Sequence, residues 1–250
     1  LLPLLYRDGF RGRIYATAAT TELCGIMLRD CAHIQEADAE WLNRKRKRAG
    51  GEETEPLYTM QDAEGVLQLF TPCHYGERVH VAEGIDIRFI DAGHLLGSAS
   101  IEVFLKEDGV EKKLVFSGDI GNLNQPLIKN PTYPTTADYV IMESTYGDRS
   151  HGPKPDYERS LAGIIAETLS RGGNVVIPCF AVGRTQEVLY FLRKIRADGM
   201  VPGFEKVDVW LDSPLAIEAT RIFDEQTREC FDDETLALMD KGVNPIQFPG

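Results

Sequence analysis

Apolar residues in this chain begin at helical spacing, change to period two near Val79, and then pass into blocks that switch between the two. Arg11-Gly12-Arg13 leads into Ile14 to Thr17, which predicts a short strand. Thr20 or Thr21 is placed to cap a helix from Glu22 to about Arg29, whose pattern continues into the charged run around Trp41. From Val79 the texture is that of strands. Ile85 to Ile90 and Ser100 to Leu105 alternate, while Lys113 to Ser117 and Val140 to Met142 read as buried strands. Three of these runs are followed by a polar side chain: His94, Asp119 and Glu143. Layered α/β folds gather chemistry where strand ends and loops converge, so this repetition is the main organisational clue.

Past Gly147 the pattern becomes strand and helix in turn. Tyr157 to Ser170 and Arg184 to Ala197 read as helices; Asn174 to Pro178 and Val207 to Leu211 read as strands. Ser213-Pro214 supplies an N-cap and a proline at the first position of another helix. This rhythm predicts an α/β fold whose later part holds a parallel sheet with right-handed crossovers. The Gly- and Pro-rich stretch from Gly147 to Pro155 is the expected boundary, giving domains 1–147 and 148–250. No internal repeat or low-complexity tract interrupts this order.

Composition narrows the functional classes. With 250 residues and 43% hydrophobic content the chain can bury one large core or two modest ones. A formal charge of −12 argues against a protein that coats nucleic acid through a basic face. An enzyme that grips a few phosphates through divalent metal escapes that objection, because the ion supplies the local positive charge. The cluster Arg44 to Arg48 is the one basic run, and it reads as a solvated helix end or as a contact for an RNA backbone or a partner. Cys24, Cys31, Cys73, Cys179 and Cys230 form no C-x-x-C pair and read as reduced cytosolic thiols. No apolar run reaches the roughly 18 residues of a membrane span, so a cytoplasmic protein without a membrane partner is expected. The start, Leu1-Leu2-Pro3-Leu4-Leu5, lacks methionine and opens inside an apolar pattern, as a fragment would.

His94 lies in Asp91-Ala-Gly-His-Leu-Leu-Gly-Ser-Ala99, where a turn between glycines frees the imidazole to meet a metal. Asp119, in Phe116-Ser-Gly-Asp-Ile-Gly121, ends a strand between two glycines; a turn aspartate capping its own loop is the alternative. Glu143, in Glu143-Ser-Thr-Tyr-Gly-Asp148, repeats the layout with a longer carboxylate. One histidine and two acids on neighbouring strand ends suit a metal or acid/base site. Arg184 and Ser213 stand where strand passes into helix, a place that attracts phosphate, and helix capping or surface solvation competes with that role for both. His33, His74, His80 and His151 fit no ligand pattern and are taken as surface or loop residues.

The segments GHLLGSA, FSGDIG and ESTYGDR, in this order, resemble the third and fourth metal motifs of the metallo-β-lactamase fold and the first motif of its β-CASP insertion. CFAVGRTQEVL and LDSPLA fit inside that insertion, and the resemblance runs over essentially the whole chain. It is similar to bacterial and archaeal β-CASP ribonucleases and to the endonuclease subunit of the eukaryotic pre-mRNA cleavage and polyadenylation machinery. The resemblance implies an incomplete αββα metallo-β-lactamase sandwich followed by part of a parallel-sheet β-CASP domain. It also implies hydrolysis of single-stranded RNA by metal-activated hydroxide at two zinc ions, endonucleolytic, 5′ to 3′ exonucleolytic or both. A homodimer is one assembly this reading leaves open. Carried over, His94 binds one zinc, Asp119 bridges both, and Glu143 orients a histidine near the leaving group. Arg184 and Ser213 are the substrate-binding candidates.

The departures are specific. The family's H-x-H-x-D-H motif is expected before Leu1 and its later histidines after Gly250, so this segment holds two of the metal ligands and is expected to bind zinc weakly and cut nothing alone. Two other classes compete. A small-ester hydrolase of the same metal fold would lack the region after Gly147, and a non-catalytic scaffold subunit would have no need of His94, Asp119 and Glu143. DNA in place of RNA stays open.

Overall fold

The computed structural model describes residues 1–47, 52–150 and 152–247 of a mixed α/β chain that forms two compact units, Leu1–Glu77 and Arg78–Gly250. In the first unit, α1 (Leu2–Arg7), α2 (Ala18–Lys47) and α3 (Met60–Leu67) accompany the parallel pair β1 (Ile14–Thr17) and β2 (Phe70–Cys73). Ala32, Tyr58 and Ala63 are buried together, with Leu4, Leu28 and Met60 packed on them. A reciprocal capping box between Thr59 and Asp62 starts α3, and Arg29 on α2 pairs with Glu64 on α3 at 2.6 Å. The helix expected from Glu22 begins earlier and runs further. β1 passes into α2 without a loop, and the Thr17 hydroxyl, not that of Thr20 or Thr21, accepts the Thr20 N–H at 3.2 Å. The last turn of α2 holds Arg44, Lys45, Arg46 and Lys47, where cations complement the helix dipole; Arg48 lies outside the described residues.

The second unit opens with a five-stranded sheet of β3 (Arg78–Ala82), β4 (Ile85–Asp91), β5 (Ala99–Glu107), β6 (Val110–Phe116) and β7 (Tyr139–Ile141), in that spatial order. The expected strands at 85–90, 100–105, 113–117 and 140–142 correspond to β4 through β7, each shifted or lengthened by a few residues. All pairs are antiparallel except β6 with β7. On one face Glu102, buried at 1% exposure, is neutralised by both Arg88 and Lys113, so the sheet interior carries no unpaired charge there.

After the sheet come α4 (Tyr157–Ser170), α5 (Arg184–Ala197), α6 (Pro214–Arg221) and α7 (Asp233–Met239). Ala162 and Ile165 on α4, Leu192 and Ile195 on α5, and Val201 and Phe204 just after α5 form one core. Two strand expectations fail here. Residues 174–178 and 207–211 have no ladder partner, and among the described residues no strand follows β7, so the expected parallel sheet is not formed. The side-chain alternation itself is real: Val175, Val207 and Val209 pack against the α4–α5 core, while Val176 is 87% and Trp210 85% exposed. Alternation predicts which side chains turn inward; it does not provide the neighbouring backbone a strand needs. The two segments instead line a cavity of about 330 Å³ with Ile165, Val188 and Leu192. The expected division at Gly147 lies inside this second unit.

Candidate active site

Strand direction brings the three singled-out side chains to one edge. β4 and β6 both run antiparallel to β5, and β7 runs parallel to β6, so the C-terminal ends of β4, β6 and β7 leave the sheet on the same side. His94 lies on the turn after β4, Asp119 on the loop after β6, and Glu143 just past β7.

The His94 turn is held from several directions. Asp91 Oδ1 accepts the Gly93 N–H at 2.8 Å, and Ser98 Oγ accepts the N–H groups of His94 at 3.0 Å and Leu95 at 3.1 Å. The Asp119 loop closes on it backbone to backbone: Gly121 donates its N–H to the Ala92 carbonyl at 2.8 Å. A Cβ on Gly121 would sit 1.6 Å from the Gly93 oxygen, and one on Gly93, at φ +58°, 2.4 Å from the Pro131 nitrogen. Both glycines are therefore required by close approach. Burial raises the Asp91 carboxyl from 3.8 to about 6, with the Gly93 N–H and Lys129 opposing the rise and Glu229 adding to it.

Within this frame His94 Nε2 lies 4.0 Å from Asp119 Oδ2, and the two side chains are 39% and 73% exposed. So exposed a pair adds little stability; what matters is that an imidazole and a carboxylate stand together within reach of solvent. Glu143 is anchored beside them. Its Oε1 accepts the Ile120 N–H at 2.7 Å, and its own N–H donates to Ser117 Oγ at 3.0 Å. The Ile120 N–H, the Thr145 hydroxyl and the charge of His94 hold the Glu143 carboxyl below its usual range against a smaller opposing effect of burial. Glu143 is thus an ionised acceptor at neutral pH and is unsuited to donating a proton.

Arg184 opens α5, and its guanidinium Nη1 lies 2.8 Å from Glu187 Oε2. Ser213 caps α6, its hydroxyl accepting the Ala216 N–H at 3.2 Å, so the capping role weighed for it is occupied. His80 pairs with Asp86 at 2.9 Å, His33 and His74 are exposed, and His151 lies outside the described residues. All five cysteines are free thiols. Four residues near the site had not been singled out: Asp91, Ser98, Gln125 and Glu187. For Asp91 the signal was present, since aspartate two residues before glycine is the signature of a side chain turned back on its own backbone. Glu187 lacks such a signal for its second contact, because Gln125 comes from another loop.

Zinc is the metal the motifs imply. Two donors of a tetrahedral zinc with bonds near 2.0–2.1 Å stand roughly 3.4 Å apart, and the 4.0 Å between His94 and Asp119 is a little wider. Among the described residues no group of three His, Cys, Asp or Glu comes together to hold a metal ion. The segment therefore offers two candidate donors and not a complete coordination shell.

The fold and this edge define a mixed α/β protein with an imidazole and two carboxylates at one sheet edge. No protein-family model matches the chain. Ribonuclease TTHA0252 of Thermus thermophilus is 35% identical to it over 249 residues, covering 100% of this chain and 51% of that protein. Transcription termination factor FttA of Methanosarcina mazei is 32% identical over 253 residues, covering 98% of this chain and 36% of its own length. Endoribonuclease YSH1 of Eremothecium gossypii is 28% identical over 247 residues, covering 98% and 30%. The chain belongs to the β-CASP metallo-β-lactamase-fold family of RNA-processing nucleases. It spans about half the length of the Thermus relative and about a third of the other two. Among the described residues no helix is long and apolar enough to cross a membrane.

Proposed function

We propose that this segment is part of a zinc-dependent phosphodiesterase that cleaves single-stranded RNA in the cytoplasm, by endonucleolytic cuts, 5′ to 3′ degradation or both. One observation carries the proposal: an imidazole and two carboxylates converge on one sheet edge, with His94 and Asp119 4.0 Å apart and Glu143 bonded to the neighbour of Asp119. The names of the relatives, ribonuclease and endoribonuclease, support RNA as substrate. On this reading residues 1–147 are the front part of an αββα metallo-β-lactamase sandwich and 148–250 begin the β-CASP domain, and the protein is open to homodimerisation.

Each residue then has a definite task. His94 and Asp119 would be two of the residues that hold zinc. Zinc, when bound, lowers the pKa of water and neutralises charge on the phosphorane-like transition state. Glu143, ionised and fixed by Ile120, accepts from an imidazole N–H and so sets that ring's tautomer. Arg184 pairs with a backbone phosphate, and Ser213 contributes by holding the α6 N-terminus at the substrate side.

The test uses a protein that carries this segment together with the remaining length of its relatives. Given 5′-labelled single-stranded RNA, it should cut, stop on addition of chelator, and lose activity by about a hundredfold or more in His94→Ala and Asp119→Ala. Chelator-insensitive cutting, or full activity of Asp119→Ala, would refute the assignment. Cutting of labelled DNA but not RNA would move the substrate class.

A further inference from the structure

One carboxylate ties the start of α5 to the loop that carries Asp119. Glu187 Oε2 lies 2.8 Å from Arg184 Nη1, and the Glu187 side chain is 17% exposed against 61% for Arg184. The acid is the fixed end of this pair and the guanidinium the free end. Other i,i+3 pairs in the chain, Arg221 with Glu218 and Arg159 with Asp156, leave both partners largely exposed. The second oxygen is also engaged. With its amide turned so that nitrogen faces the acid, Gln125 donates to Glu187 Oε1 at 2.8 Å and accepts the Asn122 N–H at 3.3 Å. Asn122 and Gln125 stand three and six residues beyond Asp119 in that loop.

The same helix start rests on the His94 turn. Gly183, at φ +85°, approaches Leu95 so closely that a Cβ would sit 2.4 Å from its Cδ2. His94 and Lys154 are near enough that their charges act on Glu187 together with that of Arg184.

We propose that Glu187 is a positioning residue, holding the Arg184 guanidinium in a fixed place relative to His94 and Asp119 so that it meets a phosphate of the bound RNA strand. This rests on the RNA phosphodiesterase reading above. An exposed arginine loses rotamer freedom when it grips a phosphate; one already braced by a half-buried acid loses less. The brace contributes orientation, and Arg184 contributes the charge.

The test is the Kd of a fluorescein-labelled single-stranded RNA for the full-length protein, by anisotropy over a series of salt concentrations. Arg184→Ala should weaken binding by about tenfold and lower the salt slope by about one. Glu187→Gln should weaken binding roughly three- to tenfold with the slope unchanged, because no phosphate-facing cation is removed. The double variant should bind no more weakly than Arg184→Ala alone. If Glu187→Gln disturbs folding of the helix start, Gln125→Leu removes the brace from its other side and should show the same signature: weaker binding, unchanged slope, no effect in the Arg184→Ala background. Tighter binding by Glu187→Gln through relief of repulsion, or additive effects, overturns the proposal and leaves the nuclease reading intact. Absence of RNA binding by the wild type overturns both.

Discussion

Asp91 shows how one half-buried acid shapes the turn that carries the candidate ligand. Its carboxyl is raised from 3.8 to about 6, mainly by burial, so the folded state holds a proton that the unfolded chain has already released across that interval. The stability it contributes is complete below 3.8 and is lost as pH rises through about 6. Asparagine can still accept the Gly93 N–H but does not titrate. Asp91→Asn should therefore gain stability relative to wild type as pH is raised from 4 to 7. Urea unfolding at several pH values measures that difference, and a constant difference would contradict the assignment. At this scale the sequence was partly legible. His94, Asp119 and Glu143 stood out because each is a chemically versatile residue beside glycine or at a strand end. Ser98 and Glu187 did not, because a hydroxyl that accepts two N–H groups and an acid bonded across loops acquire meaning only from their neighbours.

Among the elements, the site is made by two loops in backbone contact. Gly121 donates to the Ala92 carbonyl and leaves no room for a side chain against the Gly93 oxygen. Gly121→Ala should cost about 2–3 kcal/mol of stability, as overpacking into rigid backbone does, and should displace Asp119 from His94. Chemical denaturation of the variant reads the first effect and loss of RNA cleavage the second; wild-type stability would show that the loops are free to part. Of the strands that position these loops, β4 and β5 were readable from period two and β6 and β7 from continuous apolar runs, although β7 is exposed and not buried as expected. Residues 174–178 and 207–211 have the same alternation and turn Val175, Val207 and Val209 toward the α4–α5 core, yet they form no ladder. Hydrogen-bond pairing depends on a second backbone at about 4.8 Å, and side-chain pattern carries no record of whether one is there.

For the molecule as a whole, donor number governs what the segment can do. Two candidate ligands share one space, and no group of three is assembled among the described residues. The purified 250-residue segment should accordingly retain far less than one zinc per chain after dialysis and should not cut RNA. Elemental analysis by mass spectrometry and a cleavage assay check this, and stoichiometric zinc with cutting would contradict it. The net charge of −12 leaves positive charge near the candidate site to local groups such as Arg184.

The order of polar residues after strands, the glycines around them and the motifs they form were determined by the sequence, because turn chemistry and period two are local properties. Tertiary structure decided which loop closes on which, that Glu143 meets Ile120, that Gln125 meets Glu187, and that two strand-like runs stay unpaired. Those outcomes depend on contacts between residues far apart in the chain, and local pattern does not encode distance in space.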